Sequence, residues 1–263
     1  MLDYPAIEPV KAHLVRPILD RVSRFLLHSG LLQNIKTPEG HEFSLSKTMH
    51  RGDILSLLRG TYESHEIKML REHFKETDCI VDLGSNIGVV SRIALEEKLS
   101  TNGKIICVEP NPNSFEPLQI NMTRGLEGKF NKMVLFERAA IGYTANGQNR
   151  AEFLARNNLS SGLAQHLNRN QPDTPIEVTV KSLSEILEKV NGRYSLIADI
   201  EGAEIDLIQN EPDALKNCDQ IMIELHEPSL TGRKETPEVV LEQIKALGFT
   251  LQGQSGNSFC LSR

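Results

Sequence analysis

Apolar positions recur at helical spacing near the start of the chain. Val10, Leu14, Ile18, Val22 and Phe25 fall three or four apart, which predicts a helix over residues 1–30. Lys11, Arg16, Arg21 and Arg24 make its other side basic, as in helices that lie on membrane surfaces. Pro17 and the scattered acids weaken that signal and favour a helix that caps the domain or packs in a homodimer. Phe43-Ser44-Leu45, following Pro38-Glu39-Gly40, predicts a small hairpin. Residues 62–75, with Ile67, Leu70 and Phe74 on one face, predict a second helix.

From Cys79 the pattern alternates. Strands are predicted at 79–83, 104–109, 133–138, 195–200 and 219–225, and helices at 88–98, 113–124, 203–210 and 236–247. Repeated βα units of this size imply an α/β domain: a parallel sheet with helices on both faces. The end differs, because Phe249-Thr250-Leu251 and Phe259-Cys260-Leu261 flank only a Gly/Ser/Asn turn and should pair as an antiparallel hairpin. An insertion of about 143–180 interrupts the alternation, with short strands at 150–155 and 176–181 around a polar stretch. Part of that stretch is expected to act as a mobile lid over the ligand end of the sheet. The expected organisation is an N-terminal helical and hairpin appendage, 1–60, and an α/β domain, 61–263.

Composition narrows the classes further. A net charge of −6 lacks the clustered basic surface that nucleic-acid backbones require. Cys79, Cys107, Cys218 and Cys260 are far apart, without zinc or disulfide spacing, and read as reduced core thiols. No apolar run reaches membrane-span length and no signal-peptide pattern opens the chain, so a cytoplasmic protein is expected.

The chemistry-bearing residues cluster at predicted strand ends. Asp82, Gly84 and Gly88 form D-x-G-x-x-x-G between the first strand and its helix, not the G-x-G-x-x-G of dinucleotide sites. Gly84 permits a sharp turn and Gly88 close helix–sheet packing. A carboxylate at Asp82 disfavours a pyrophosphate and welcomes an ammonium, which suits S-adenosylmethionine. Glu109 ends the next strand, where an acid grips ribose hydroxyls in such folds. Ala140, among small residues after the third strand, leaves room for an adenine. Asp199 and Glu201 lie two apart at the end of the fourth strand, so an extended backbone would project both to one side. Glu224 and His226 repeat that spacing on its neighbour.

These motifs together resemble the FkbM family of S-adenosylmethionine-dependent methyltransferases. The residues are Val81-Asp82-Leu83-Gly84-Ser85-Asn86-Ile87-Gly88, Val108-Glu109-Pro110-Asn111, Asp199-Ile200-Glu201-Gly202-Ala203-Glu204 and Ile223-Glu224-Leu225-His226. Gly60-Thr61-Tyr62-Glu63 resembles the family's approach to the first motif, and Ser85 stands where a small Ala is commoner. A parallel sheet closed by an antiparallel hairpin is also the layout of the class I methyltransferase fold. The resemblance implies O-methylation of a small hydroxylated acceptor such as a sugar, glycolipid or polyketide. Ser85 and Asn86 would join the donor site with Asp82, Gly84, Gly88, Glu109, Ala140 and Asp199.

His226 has an intrinsic pKa suited to a general base, and Asp199, Glu201 and Glu224 are candidates for base or orienting group. The same three carboxylates form a possible Mg²⁺ site, but an acid at Glu201 also suits the start of a helix. Tyr62, Glu63 and, in the insertion, Asn158 are candidate substrate contacts. Amine N-methylation, an NAD-dependent oxidoreductase and a non-catalytic nucleotide-binding protein are the alternative readings.

Overall fold

The structure is a computed structural model that describes residues 9–125, 134–143, 149–155, 162–163, 174–226 and 235–263. Its centre is a seven-stranded sheet. The strands are β3 (Thr77–Leu83), β4 (Leu99–Val108), β5 (Val134–Glu137), β10 (Tyr194–Ala198), β11 (Cys218–Glu224), β12 (Thr250–Ser255) and β13 (Ser258–Ser262). They lie in the order β12-β13-β11-β10-β3-β4-β5. The five strands from β11 to β5 are mutually parallel, whereas β13 runs antiparallel between β11 and β12. Strand order reverses between β3 and β10, and the C-terminal ends of such neighbours open into the crevice where α/β sheets hold ligands.

Both sheet faces are buried, which is why the strands read as continuous apolar runs. Alternate residues enter opposite cores: Ile80, Ile105, Cys107, Ile197 and Met222 on one side, Val81, Leu83, Ile106, Leu196 and Ile221 on the other. On the first face pack α3 (Ser64–His73), α4 (Val89–Glu97) and α5 (Pro112–Thr123). The second receives α6 (Leu183–Leu187), α7 (Glu204–Asn210) and α8 (Pro237–Ala246). All four cysteines are buried and unpaired, as their apolar surroundings suggest.

The N-terminal segment supplies α1 (Pro9–His28), the hairpin β1 (Asn34–Lys36) and β2 (Glu42–Ser44), and α2 (Arg51–Arg59). Leu27, Ile35, Phe43 and Leu57 share the first core. Asn121 of α5 binds it further: its Nδ2 donates to the carbonyls of Ser44 and Ile87, and its Oδ1 accepts from Ser44 N–H. Helix α2 is absent from the sequence reading. Its signal is a capping box in which the His50 ring and Asp53 cap each other's backbone N–H groups, and a ring nitrogen seldom acts as that acceptor.

The insertion forms a second sheet, β6-β9-β7-β8, from β6 (Ala140–Ile141), β7 (Arg150–Ala155), β8 (Gly162–Leu163) and β9 (Thr174–Lys181). Ala140, Phe153, Leu163, Val178 and Val180 give it a small core of its own. The polar stretch expected to form a lid, including Asn158, lies outside the described residues.

Candidate active site

The turn after β3 is shaped by what it must pass. Gly84 has φ +84°, and a Cβ there would fall 1.8 Å from the carbonyl oxygen of Asp199. The two strand ends therefore approach backbone to backbone, which only glycine permits. Gly88, at φ +85°, begins α4 where a Cβ would meet Leu118 at 2.8 Å. Gly84 makes the expected sharp turn, whereas the close approach at Gly88 is to helix α5 rather than to the sheet.

Around this turn lies a partly open cavity lined by Asp82, Gly84, Ser85, Asp199 and Glu224 with Glu63 and Glu66 of the α3 side. Five of its lining residues are acids. Asp82 points toward α4, where Ser91 Oγ donates a short hydrogen bond to its carboxylate. Burial pushes its pKa up to about 6. Glu109 closes β4 and takes backbone N–H bonds from Asn86 (2.9 Å) and Asn111 (2.7 Å), while burial lifts it to about 7. Glu109, Asn86 and Gly88 stand outside the cavity wall, beside the turn. Ala140 is buried in β6, opposite Val180, also away from the cavity wall.

Sequence spacing misjudged how Asp199 and Glu201 come together. Strand β10 stops at Ala198, and Glu201 (φ +52°) and Gly202 (φ +97°) turn left-handed, so strand alternation does not set their direction. Glu201 nevertheless reaches His226, with Oε2 3.3 Å from Nε2, and Asp199 Oδ1 is 3.7 Å from the same nitrogen. On the other side of the ring, Nδ1 lies 3.3 Å from Glu204 Oε1. Burial alone would lower the imidazole pKa. Contact with Glu204, reinforced by Asp199 and Glu201, instead pushes it up to about 11. This pairing with three acids favours the charged imidazole, a form suited to offsetting their charge.

Its acidic neighbours are raised as well. Burial and then the charge of Glu201 raise Asp199 well above the carboxylate range, and burial with Asp199 lifts Glu224 to about 8. Glu204, absent from the predicted site, fulfils the helix-start role considered for Glu201. Its two oxygens accept the N–H groups of Ile200 (3.0 Å) and Gly202 (2.8 Å). Glu66 and Ser258 were also missed. Glu66 lies three residues past Glu63 on α3, a spacing the sequence displays. Ser258 enters only through the pairing of β13 with β11, opposite Glu224, and its Oγ donates to Glu66.

Tyr62 is buried, and its hydroxyl accepts from Asn86 Nδ2 at 3.3 Å. Glu63 lines the cavity at φ +47° and makes no side-chain cap for α3. Among the described residues, Glu63, Asn86 and Glu201 are the non-glycine positions with positive φ. All three border this one edge, where backbone strain of that kind commonly serves function.

The cradle matches a ligand that brings hydrogen-bond donors and positive charge. Buried Asp199 Oδ1 and Asn86 Oδ1 accept no hydrogen bond from the protein. Ligand atoms of Asp199, Glu224 and His226 also lie within 4.8 Å of one another. Glu201, a member of the expected Mg²⁺ set, is not in that group and pairs with His226.

Comparisons with known proteins agree with this geometry. Residues 82–251 match the Methyltransferase FkbM domain family. A curated relative, the hexuronic acid methyltransferase AglP of Haloferax volcanii, is 27% identical over 183 residues, covering 64% of this chain and 64% of that protein. Among solved structures, a methyltransferase FkbM from Methylobacillus flagellatus KT superposes with a TM-score of 0.50 at 13% identity, over 78% of this chain and 50% of that one. The chain thus spans under two thirds of these relatives, and the second likeness speaks for the fold alone. Motif turn, strand order and family match converge: this chain belongs to the FkbM methyltransferase family.

Proposed function

We propose that this chain transfers a methyl group from S-adenosylmethionine to a hydroxyl of a small sugar-like acceptor. The acid-lined cavity against the Gly84–Asp199 contact is the observation that carries the reading. Family membership supports the reaction, and the hexuronic acid specificity in the relative's name supports a uronic sugar as acceptor.

When bound, S-adenosylmethionine supplies an electrophilic methyl carbon on a sulfonium. Asp82, Gly84 and Ser85 in the cavity wall, with Asn86, Gly88 and Glu109 beside the turn, would hold it, the acids meeting its ammonium and ribose hydroxyls. Fixing the acceptor oxygen in line with that carbon is worth about 7–11 kcal/mol. Asp199 and Glu224 face the cavity, where the positive charge of the donor would favour their ionised forms and so proton acceptance from a hydroxyl. A base of this kind adds about 10²–10⁴-fold. With donor and acceptor bound, the carboxylate would take the hydroxyl proton as the oxygen bonds the methyl carbon, the C–S electron pair remaining with the departing sulfur. His226 is a positioning residue: its charge offsets Asp199, Glu201 and Glu204 and orients them. Tyr62 and Glu63 frame the acceptor side.

The acidity of the cavity favours one second reading, an amine acceptor, since five carboxylates attract cations. Mass-spectrometric assay of methyl transfer to glucuronic acid-containing saccharides and to their amino-sugar analogues separates the two. Transfer only to nitrogen would overturn the hydroxyl assignment. A thermal shift with NAD and none with S-adenosylhomocysteine would overturn the donor.

A further inference from the structure

Helix α1 turns an apolar face away from the protein. Ile18 is 60% exposed, Leu19 41%, Val22 48% and Phe25 65%, and Leu31 in the following turn is 72% exposed. At 3.6 residues per turn, Phe25, Ile18, Val22 and Leu19 fall within an arc of about 120°. The face toward the domain is a different one: Leu27 is buried, and Asp20 pairs with Arg51 of α2 at 2.8 Å. Arg24, His28 and Arg21 occupy the arc beside the apolar one and are exposed.

We propose that this face docks the protein peripherally on an anionic lipid surface. Contiguous exposed apolar side chains flanked by arginines make the pattern of an interfacial helix, with side chains at acyl depth and guanidinium groups at the headgroups. Charge complementarity selects the occupant. The chain carries a net charge of −6, yet this helix presents its arginines beside its apolar arc, matching anionic headgroups. A second copy fits less well, because antiparallel pairing across the apolar arc would bring Arg21, at the edge of that arc, close to its own copy. No helix of the described residues is long and apolar enough to cross a membrane, so the attachment is to the surface.

Vesicle flotation of the full chain tests the proposal, using phosphatidylcholine alone and phosphatidylcholine mixed with phosphatidylglycerol. Binding is expected to the mixed vesicles and to fall with added salt. The Arg21→Gln/Arg24→Gln variant should bind about thirtyfold more weakly. Val22→Ser/Phe25→Ser should lose at least about tenfold, since two apolar side chains no longer enter the bilayer. These side chains are exposed, so both variants should retain the wild-type thermal shift with S-adenosylhomocysteine. That shift separates loss of docking from loss of fold. Absence of wild-type flotation with anionic vesicles would overturn the proposal. So would a dimer by light scattering that Val22→Ser/Phe25→Ser dissolves, which would give the face to a second copy.

Discussion

Replacing Gly84 by alanine tests the contact on which the cavity depends. The added Cβ would lie 1.8 Å from the Asp199 carbonyl oxygen and 2.8 Å from its carbonyl carbon, so the two strand ends must separate by more than about 1 Å. Neither side has a rotamer with which to escape. Gly84 N–H donates to Val108 O at 2.9 Å, and Asp199 N–H donates to Leu83 O at 3.0 Å. A left-handed alanine costs about 1–2 kcal/mol, and distorting two ladder bonds adds about 1 kcal/mol each, for a loss of about 3–4 kcal/mol. Gly192→Ala is the control: φ is +92° with nothing within 4 Å, so only the conformational cost of about 1–2 kcal/mol applies. At about 2–4 °C per kcal/mol, the melting temperature should fall by about 6–16 °C for Gly84→Ala and about 2–8 °C for Gly192→Ala. Calorimetry with and without S-adenosylhomocysteine reads both stability and ligand response, and Gly84→Ala should lose the ligand shift. A Gly84→Ala protein that melts with the control and keeps its shift would refute the backbone-contact argument.

Three further outcomes follow from the side chains around that turn. Asp199→Asn should retain S-adenosylhomocysteine binding by calorimetric titration while transfer falls by at least about 10²-fold, as expected for loss of a base. His226→Asn removes the cation between three acids, so the apo protein should lose stability and the pH profile of transfer should move; an unchanged profile would deny His226 a positioning role. Apo stability should fall as pH rises from about 5 to 9. Glu109 and Glu224 are raised to about 7 and about 8, so the folded state holds protons that the unfolded chain releases earlier; His226, raised to about 11, has the same sign. Thermal melts across that range that rise with pH would contradict this.

Most of the sheet was legible because buried parallel strands must be continuous apolar runs. The alternation of Ile80, Val81 and Leu83 between two cores is the kind of pattern a sequence displays directly. The turn at Gly84 was legible too, since spacing alone implied it. What the sequence concealed were contacts made by register and by left-handed turns. Ser258 meets Glu66 only because β13 inserts beside β11, and Glu201 reaches His226 through a positive-φ residue rather than through strand pleating. The role of Glu204 was hidden as well. A carboxylate four residues past Ile200 caps it only once the chain folds back over the helix start.

The acidity of the cavity has a consequence for which ligand it prefers. Asp82, Glu63, Glu66, Asp199 and Glu224 line one space, and burial raises four of them, so the empty site holds protons it would release to a cation. S-adenosylmethionine carries both an ammonium and a sulfonium, whereas S-adenosylhomocysteine carries only the ammonium. A cavity built this way should bind the charged donor better than the neutral thioether product, and the preference should widen as pH rises and the carboxyls ionise. In the proposed reaction, repulsion among the buried acids would be relieved more by the donor than by the product, which would favour release of the product. Parallel titrations of the two ligands between pH 6 and pH 9 measure it directly. Equal and pH-independent affinities would mean that shape, not charge, governs this cavity.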